Sequence, residues 1–430
     1  MIEIQKPDEA LIRLLPPVVL RPDITYVPSQ FVIKFEHLSK QYVFNNLTKQ
    51  CIEGSLPARA KAGEGYDDLI IAQFLVPEDK DECAYYNSIS ALMRAYRHKK
   101  GVRGYTILPT SACNARCTYC YEQGIESVTM QPETVEQTIR YIISTHAEET
   151  VSITWFGGEP LLGEVIIDRI CEGLREAGVP YKSKMVSNGS QVNSRIIEKM
   201  TGPWHLEKIQ ISMDGAEDDY ISRKCYIKEG DYYHSVMRSI DRMADKGILV
   251  QVRCNVDEKN WEGLPRFLDD MSAFISHKEN VVIYLAPLFQ MRNNKDAISF
   301  WEKVLDFSPM IREAGFHVGN PKKKGETSFR VNACMADSDC VVICPDGVLS
   351  PCEHLQQEAG FGDVWNGVTD EAARHEFCRT DRTREKCRKC PYLPECTSFA
   401  SCPIQKGDIH CRNVKELLTL NGLKKIVEKS

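Results

Sequence analysis

The sequence CNARCTYC, residues 113–120, places three cysteines on one short stretch with the spacing C-x3-C-x2-C. This spacing matches neither the paired C-x2-C units of most zinc sites nor the C-x2-C-x2-C run of bacterial ferredoxins. Three thiolates on one loop suit a tetrahedral or cubane metal centre that keeps one position without a protein ligand. The stretch therefore predicts a metal site with an open position.

Around this stretch, strand-like apolar runs alternate with helix-like segments. The strand-like runs are Tyr105–Pro109, Val151–Phe156, Tyr181–Val186, Lys208–Met213, Ile248–Val256 and Val281–Pro287. The helix-like segments include Pro132–His146, Val165–Ala177 and Ser235–Lys246. Such alternation predicts β/α units around a parallel sheet, and six units suit an open barrel better than a closed eight-fold one. The predicted fold class is α/β, a partial (β/α)6 TIM-like barrel, with the cysteine stretch after its first strand, where barrels carry their chemistry.

Two further regions flank the barrel. Residues 1–100 contain a predicted β-hairpin at Phe31–Phe35 and Tyr42–Phe44 and a helical pattern at Glu82–His98, which fits a small α+β domain. After Phe316 the chain becomes turn-rich and cysteine-dense, so bound metal would help to hold it together. We therefore predict three domains, at residues 1–100, 101–320 and 321–430.

Composition excludes several classes of protein. The 430 residues include 54 Lys and Arg against 60 Asp and Glu, a net charge of −6, whereas nucleic-acid or anionic-membrane binders usually carry a basic excess. No apolar run is long enough for a membrane span, and residues 1–10 lack an apolar signal core, so we expect a cytoplasmic protein. Ten of the 18 cysteines lie between Cys334 and Cys411. In a long chain without a signal peptide, such grouping favours metal ligands over disulfides.

The cysteine spacing resembles that of the radical S-adenosylmethionine (radical SAM) superfamily. By resemblance Cys113, Cys117 and Cys120 hold a [4Fe–4S] cluster, whose remaining iron binds the methionine moiety of S-adenosylmethionine. In that family one electron from the cluster cleaves the sulfonium and releases a 5′-deoxyadenosyl radical. Tyr119, the aromatic residue before the last cysteine, is also typical of the family, and we count it among the residues around S-adenosylmethionine.

Further family motifs follow at the ends of successive strands. The second strand ends in a GGEP motif that contacts the methionyl amino group in the family, and the third ends where the family contacts the ribose. The fourth strand ends in S-x-D-G followed by D-x3-R, whose arginine would pair with the methionyl carboxylate, a task suited to a planar guanidinium. The resemblance thus implies S-adenosylmethionine contacts from Gly157, Gly158, Glu159, Pro160, Ser187, Asn188, Asp214 and Arg223. Residues Val252–Asn255 on the fifth strand are a weak candidate for lining the cavity, and we do not count them among these contacts.

The C-terminal cysteines resemble the SPASM extension of radical SAM maturases of peptides and proteins, including its Pro345-Asp346-Gly347 turn. By resemblance one auxiliary [4Fe–4S] cluster is held by Cys334, Cys340, Cys352 and Cys402, and a second by Cys387, Cys390, Cys396 and Cys411. With the barrel site this implies three clusters. Two departures stand out: the penultimate spacing is x5 instead of x3, and Cys344 and Cys378 are surplus, so that Cys344 could replace Cys340 as a ligand. A zinc ribbon at Cys387, Cys390, Cys396 and Cys402 is the alternative.

The resemblance implies a maturase that installs a thioether, carbon–carbon or ether cross-link in a ribosomally made peptide. Its partners would be a precursor peptide with a leader, bound as an added strand on the N-terminal domain, and an electron donor such as flavodoxin or ferredoxin. A plain structural cap on the barrel is the alternative role for that domain.

Other functions stay open at this stage. They are a sulfatase-type (formylglycine) maturase, another radical SAM dehydrogenase of quinone-cofactor or sugar type, and an iron–sulfur electron carrier without catalysis. Glu353, directly after Cys352, is the candidate base, at a position where sulfatase-type maturases carry an aspartate, and His354 is an adjacent alternative. An exposed turn glutamate is the simpler interpretation of Glu353.

Overall fold

A computed structural model describes residues 15–97, 101–288, 294–319, 339–376, 385–395, 411 and 413–428. The N-terminal region folds into two small antiparallel sheets and two helices. These elements are β1 (Tyr26–Pro28), β2 (Val32–His37), β3 (Lys40–Asn45), β4 (Cys51–Glu53), α1 (Asp67–Ile71), β5 (Leu75–Pro77) and α2 (Glu82–Arg97). Strands β2, β3 and β4 pair in that order, and β1 pairs with β5. The predicted hairpin is confirmed, with Ile33 opposite Phe44 in its register.

The middle of the chain forms a parallel sheet whose strands lie side by side in chain order. Its strands are β6 (Gly104–Ile107), β7 (Val151–Trp155), β8 (Tyr181–Ser187), β9 (Leu206–Met213), β10 (Leu249–Val256), β11 (Val281–Pro287) and β12 (His317–Val318). Its helices are α3 (Pro132–Thr145), α4 (Glu164–Glu176), α5 (Ser194–Thr201), α6 (Glu217–Lys224), α7 (Tyr232–Asp245), α8 (Leu264–Phe274) and α9 (Asn294–Glu313). The predicted α/β class with a partial, TIM-like barrel is confirmed.

Along each strand, buried and partly buried side chains alternate and mark the two faces of this sheet. Residues such as Ile209, Val252 and Ile283 are buried in the main core together with the apolar sides of the helices. The intervening positions on the same strands, for example Gln210, Arg253 and Tyr284, are only partly buried. Since successive side chains of a strand point to opposite faces, these polar residues line the inner face of the barrel.

Most predicted strand and helix positions agree with the structure to within three residues. Helix α7 begins at Tyr232, three residues before the predicted start, because the Asp231 side chain accepts a hydrogen bond from the His234 amide at 3.3 Å and caps the helix. Strand β9 begins at Leu206 because this residue pairs with Ser183 of β8 ahead of an irregularity in the register. In the part of the chain that the structure describes, no helix combines the length and the apolar character needed to cross a membrane.

The C-terminal region extends the same sheet. Its elements are β13 (Cys340–Ile343), β14 (Val348–Ser350), β15 (Gly362–Asp363), β16 (Gly367–Val368), α10 (Glu371–Glu376), α11 (Glu385–Arg388) and α12 (Asn413–Val427). Strand β13 pairs in parallel with β6, and β14 to β16 follow as antiparallel strands. The cysteine-rich region is thereby attached to the strand that precedes the cysteine loop of the barrel.

The two ends of the chain share an apolar core. One face of the β2–β3 hairpin packs against the last helix and against Tyr392, in a cluster that includes Ile33, Phe35, Tyr42, Phe44, Leu420 and Leu423. A second cluster joins Phe31, Leu47 and Tyr86 to Leu393. The Asn46 side-chain amide donates a hydrogen bond to the Pro391 carbonyl at 2.9 Å. The N-terminal sheet therefore supports the segment that carries Cys387 and Cys390.

Candidate active site at the mouth of the barrel

The loop after β6 brings Cys113, Cys117 and Cys120 together. All three thiols are partly buried. Burial, with smaller contributions from Glu159, Cys117 and Cys120, raises the pKa of the Cys113 thiol to about 11. Three neighbouring sulfur donors on one loop fit the three-thiolate ligation of an iron–sulfur cluster.

The backbone of this cysteine loop is held by the segment that follows α6. The Arg116 amide donates to the carbonyls of Lys224 and Cys225 at 3.1 and 2.9 Å, and the Thr118 amide donates to the Arg223 carbonyl at 3.0 Å. The Ile227 amide in turn donates to the Asn114 carbonyl at 3.0 Å. These hydrogen bonds satisfy the loop's polar backbone and fix its path across the barrel mouth.

The glycine pair after β7 lies against the chain just before Cys113. An added Cβ at Gly158 would lie 2.4 Å from the Ala112 carbonyl oxygen and 2.5 Å from that of Ser111. Gly157 has φ +125°, and a Cβ there would lie 2.3 Å from the Thr110 carbonyl oxygen. From the sequence, the glycine pair was expected to let the backbone approach S-adenosylmethionine closely. In the structure it serves the cysteine loop, because the backbone of the two loops must touch.

Glu159 is fully buried and binds protein groups. Its carboxylate accepts hydrogen bonds from the Ser187 hydroxyl and the Asn188 amide, both at 2.8 Å, and from the Leu161 amide at 3.2 Å. Burial raises the pKa of Glu159, and the three donors oppose that shift. Glu159 and Ser187 thus join the ends of β7 and β8, whereas the Asn188 side chain reaches the Asn114 side chain at 2.9 Å beside the cysteine loop.

A buried polar network lies on the inner side of the cysteine loop. Asp214 accepts hydrogen bonds from the Tyr119 hydroxyl at 2.5 Å and the Asn255 amide at 2.8 Å, and its carboxylate lies 3.3 Å from the Lys224 ammonium. Burial opposes the charge on Lys224, but the Asp214 carboxylate raises the pKa of this lysine well above its ordinary value. Lys224 therefore keeps a positive charge inside the protein, where it also interacts electrostatically with Cys117.

Lys224 and Asn255 are site residues that the sequence analysis missed. Asn255 ends the Val252–Asn255 stretch. It lies two residues after Arg253 on the same strand, and this spacing places both residues on the inner face, which was the available sequence signal. For Lys224 no comparable signal exists, because a lysine in the last turn of a helix normally faces solvent.

Arg223 lies at the same mouth and has a protein partner. Its guanidinium forms an ion pair with Asp257, which follows β10. The structure therefore places Arg223 near the loop that was expected to hold S-adenosylmethionine, with its charge compensated by a carboxylate of the chain. Pro160 is buried at the start of a short 3-10 helix, Pro160–Gly163.

The segment after Cys352 closes over the same mouth. The Tyr121 and His354 rings lie 4.1 Å apart between centroids, and the Gln356 amide donates to Glu122 at 2.9 Å. Glu353 is 23% exposed at its side chain, and its Oε1 lies 4.0 Å from the His354 Nε2. The candidate base thus lies near Tyr121, next to the loop of Cys120. Its role as a base stays a prediction.

The C-terminal cysteines separate into two positions. Strands β13 and β14 are antiparallel, with Val342 opposite Ser350, so Cys340 at the start of β13 and Cys352 two residues after β14 lie at the same end of the hairpin. Cys344 is fully buried at the other end of β13 with Leu108 and Val342, and burial raises the pKa of its thiol to about 12. Cys387, Cys390 and Cys411 lie at or near the packing surface of the N-terminal sheet and the last helix. Cys334, Cys378, Cys396 and Cys402 lie outside the described residues.

Comparison with known families identifies the central domain. Residues 107–271 match the sequence profile of the Radical SAM superfamily. This range contains the three cysteines of the loop, the glycine pair, Asp214 and Arg223. Residues 107–271 therefore form a radical SAM domain, and the three cysteines of its loop fit the iron–sulfur cluster that such domains use with S-adenosylmethionine.

Similar sequences span more than one activity. An uncharacterized protein of Methanocaldococcus jannaschii is 29% identical and covers 61% of this chain and 89% of its own length. A probable GTP 3′,8-cyclase of Halobacterium salinarum is 20% identical over 65% of this chain and 74% of its own. The radical SAM cyclopropyl synthase TigE of Paramaledivibacter caminithermalis is 20% identical over 71% of this chain and 69% of its own.

Solved structures show the same fold. The anSMEcpe structure with bound AdoMet and Cp18Cys peptide has a TM-score of 0.59 at 15% identity, covering 76% of this chain and all of that one. SuiB of Streptococcus suis, bound to precursor peptide SuiA, has a TM-score of 0.52 at 13% identity, covering 87% of this chain and 95% of that one. At these identities the likeness shows a shared fold.

Proposed function

We propose that the protein is a radical SAM/SPASM maturase that installs a cross-link in a ribosomally made peptide. The observation that carries this proposal is the attachment of the cysteine-rich region to the barrel. Strand β13 joins β6, and the segment from Cys352 to Gln356 packs over the loop of Cys120. A second set of sulfur ligands beside the radical site suits a reaction that must remove an electron from a substrate radical.

In this proposal the residues at the mouth of the barrel bind the cofactors. Cys113, Cys117 and Cys120 would hold the cluster that binds S-adenosylmethionine, and the bound cofactors would supply the 5′-deoxyadenosyl radical. The protein residues hold this site in place: Gly158 keeps the loop close to β7, and the Asp214–Lys224 pair places a fixed positive charge beside Cys117.

Two auxiliary clusters complete the proposed cofactor set. Cys340 begins β13 and Cys352 follows the end of β14, which favours them as ligands of one cluster, whereas Cys344 packs in an apolar cluster at the far end of β13. Together with Cys334 and Cys402 they would form the first ligand set. Cys387, Cys390, Cys396 and Cys411 would form the second. We therefore expect about twelve iron atoms per chain, four for each cubane, and negligible stoichiometric zinc.

The N-terminal region would bind a leader segment of the peptide. In the described residues β2 pairs with β3 alone, so its other edge can accept an added strand. The face of this sheet is already covered by the last helix, which leaves the edge as the place for a peptide. A low-potential carrier such as flavodoxin or ferredoxin would deliver the electron to the loop cluster.

The deciding experiment is anaerobic reconstitution with iron and sulfide, followed by incubation with S-adenosylmethionine, dithionite and short peptides encoded beside the gene. We expect 5′-deoxyadenosine release and a peptide product that has lost two hydrogens, located by tandem mass spectrometry. A formylglycine product at a Ser or Cys would instead identify a sulfatase-type maturase. Release of 5′-deoxyadenosine without change in any peptide would remove the maturase proposal and leave the radical SAM assignment.

GTP cyclisation is the second candidate, because several curated relatives are GTP 3′,8-cyclases. The same reconstituted enzyme incubated with GTP instead of peptide tests it. Consumption of GTP that depends on S-adenosylmethionine and on Cys113, Cys117 and Cys120 would favour this candidate. We expect no consumption, since the attached cysteine-rich region and the extra N-terminal sheet fit a peptide substrate.

A further inference from the structure

The inner face of the barrel carries three cations on neighbouring strands. Lys184 on β8 and Lys208 on β9 lie directly opposite each other in the register, and Arg253 lies on β10 opposite Ser212 of β9. All three are partly buried, and the residues beside them on the same strands point into the helix-covered core. The inner face of the sheet, below the mouth that carries the cysteine loop, therefore holds three positive charges.

None of these three cations forms an ion pair with a carboxylate of the described residues. Nearby acidic groups have other partners: Glu207 pairs with Lys182 at 3.9 Å, and Asp214 is taken by Lys224, Tyr119 and Asn255. Glu353 lies at the mouth beside His354. Arg253 is oriented by neutral groups, since its Nε donates to the Asn255 side chain at 2.9 Å.

The two lysines make an unfavourable arrangement in the absence of an anion. Like charges directly opposite on neighbouring strands destabilise a sheet. Burial lowers the pKa of Lys208, and the charge of Lys184 lowers it further. An inner face that keeps this pair of lysines is suited to a negatively charged ligand that enters from the mouth.

The cations are also connected to the reactive mouth. Arg253 contacts Asn255, whose amide donates to Asp214 and lies 3.2 Å from the Tyr119 hydroxyl next to Cys120. Tyr284 donates to the Gln210 side chain at 2.6 Å on the same face, which places two further polar groups between the arginine and the lysines. An anionic chain could thus contact Arg253 near the mouth and the lysines deeper in the barrel.

We propose that the inner face of the barrel binds an acidic segment of the peptide substrate, with Asp or Glu carboxylates held by Lys184, Lys208 and Arg253. The proposal rests on the proposed maturase function and names the chemistry of its substrate. A peptide of aliphatic and amide residues alone would leave three partly buried cations without an anionic partner. An acidic peptide compensates them and orients the residue that reaches the mouth.

Binding of two matched probes to the reconstituted holoenzyme tests this. Fluorescein-labelled penta-aspartate and penta-asparagine differ in charge and little in shape, and fluorescence anisotropy gives their affinities at several salt concentrations. We expect penta-aspartate to bind and to weaken with salt, and penta-asparagine to bind at least tenfold more weakly. Each of Lys184→Gln, Lys208→Gln and Arg253→Gln should weaken penta-aspartate binding about tenfold, as expected for loss of a charged hydrogen bond.

The controls separate this site from general electrostatic attraction. Lys246→Gln removes one positive charge from the exposed end of α7 and should change the affinity less than twofold. Lys208→Arg keeps the charge and should retain most of the binding, which distinguishes a lost contact from a misfolded barrel. Equal binding of both peptides, or equal losses in Lys246→Gln and Lys208→Gln, would overturn the proposal.

Inorganic triphosphate as a competitor distinguishes the source of the anion. If triphosphate binds through the same three residues and penta-aspartate does not, the inner face is a phosphate site and the acidic-peptide assignment is wrong. If penta-aspartate fails while a neutral genome-neighbouring peptide is still modified, this inference fails and the maturase function stands.

Discussion

The two cysteine-bearing regions of this protein are held in place by different means. The loop of Cys113 to Cys120 follows a strand of the central parallel sheet. Backbone hydrogen bonds with residues 223–227 and close contact with the glycine pair after β7 fix its path. The described part of the region from Cys340 to Cys411 has strands of two to four residues and helices of six residues or fewer. Short elements bury little apolar surface, so this second region depends on its neighbours and on metal. We therefore expect the first site to be formed before its cofactor binds and the second to be completed by the proposed clusters.

Replacing the three loop cysteines separates the two regions most strongly. Cys113→Ala/Cys117→Ala/Cys120→Ala should abolish 5′-deoxyadenosine release and lower the iron content by about four atoms, one cubane. The barrel should stay folded, because the loop backbone is held by hydrogen bonds that do not involve these thiols. Chromatographic assay of 5′-deoxyadenosine and iron analysis measure the outcome. Persistent cleavage of S-adenosylmethionine would contradict the ligand assignment.

Removing iron should affect the C-terminal region more than the barrel. With a strong chelator under reducing conditions, we expect amides of β13, β14 and residues 385–395 to lose protection from hydrogen exchange. Amides of the central strands β8 to β10 should keep theirs, since their apolar side is buried in the main core. Hydrogen exchange followed by mass spectrometry reads both regions in one experiment. Equal loss of protection in the two regions would show that they unfold as one unit.

A single added methyl group should damage the first site. Gly158→Ala would place a Cβ 2.4 Å from the Ala112 carbonyl oxygen, and backbone on both sides leaves little room to adjust. We expect destabilisation of about 3 kcal/mol, as for overpacking, and loss of the loop cluster. Gly422→Ala is the matched control, because a Cβ there meets nothing within 4 Å. Its thermal unfolding and iron content should match or exceed those of the unmodified protein.

The smallest effect is expected within the C-terminal region itself. Cys344→Ala removes one buried sulfur from an apolar cluster and should cost about 1 kcal/mol while the iron content is unchanged. Cys352→Ala should lower the iron content by about four atoms, because Cys352 and Cys340 share the end of the hairpin where the proposed ligands lie. Comparable iron loss in both variants would return Cys344 to the ligand set.

Much of the fold followed from local patterns. The alternation of apolar runs and helical segments predicts β/α units because strand and helix periodicities differ, and the structure confirms them. Boundaries differ where a side chain acts over a few residues, as Asp231 does in starting α7 early. The attachment of β13 to β6 has no counterpart in the local pattern, because residues 104–107 and 340–343 are far apart in sequence and pair only through backbone groups.

The sequence by itself determined the α/β class, the cysteine triad and its place after the first strand, since spacing and periodicity are local properties. Tertiary structure alone decided what each side chain does at the mouth. The Glu159 carboxylate accepts hydrogen bonds from Ser187 and Asn188, and Lys224 is a buried cation beside Asp214. It also decided that Lys184 faces Lys208 across two strands. These contacts depend on which residues, distant in sequence, meet in the fold and on how far each is removed from water. The energies of such burial and pairing do not affect the residue types at neighbouring positions, so the local sequence does not reveal them.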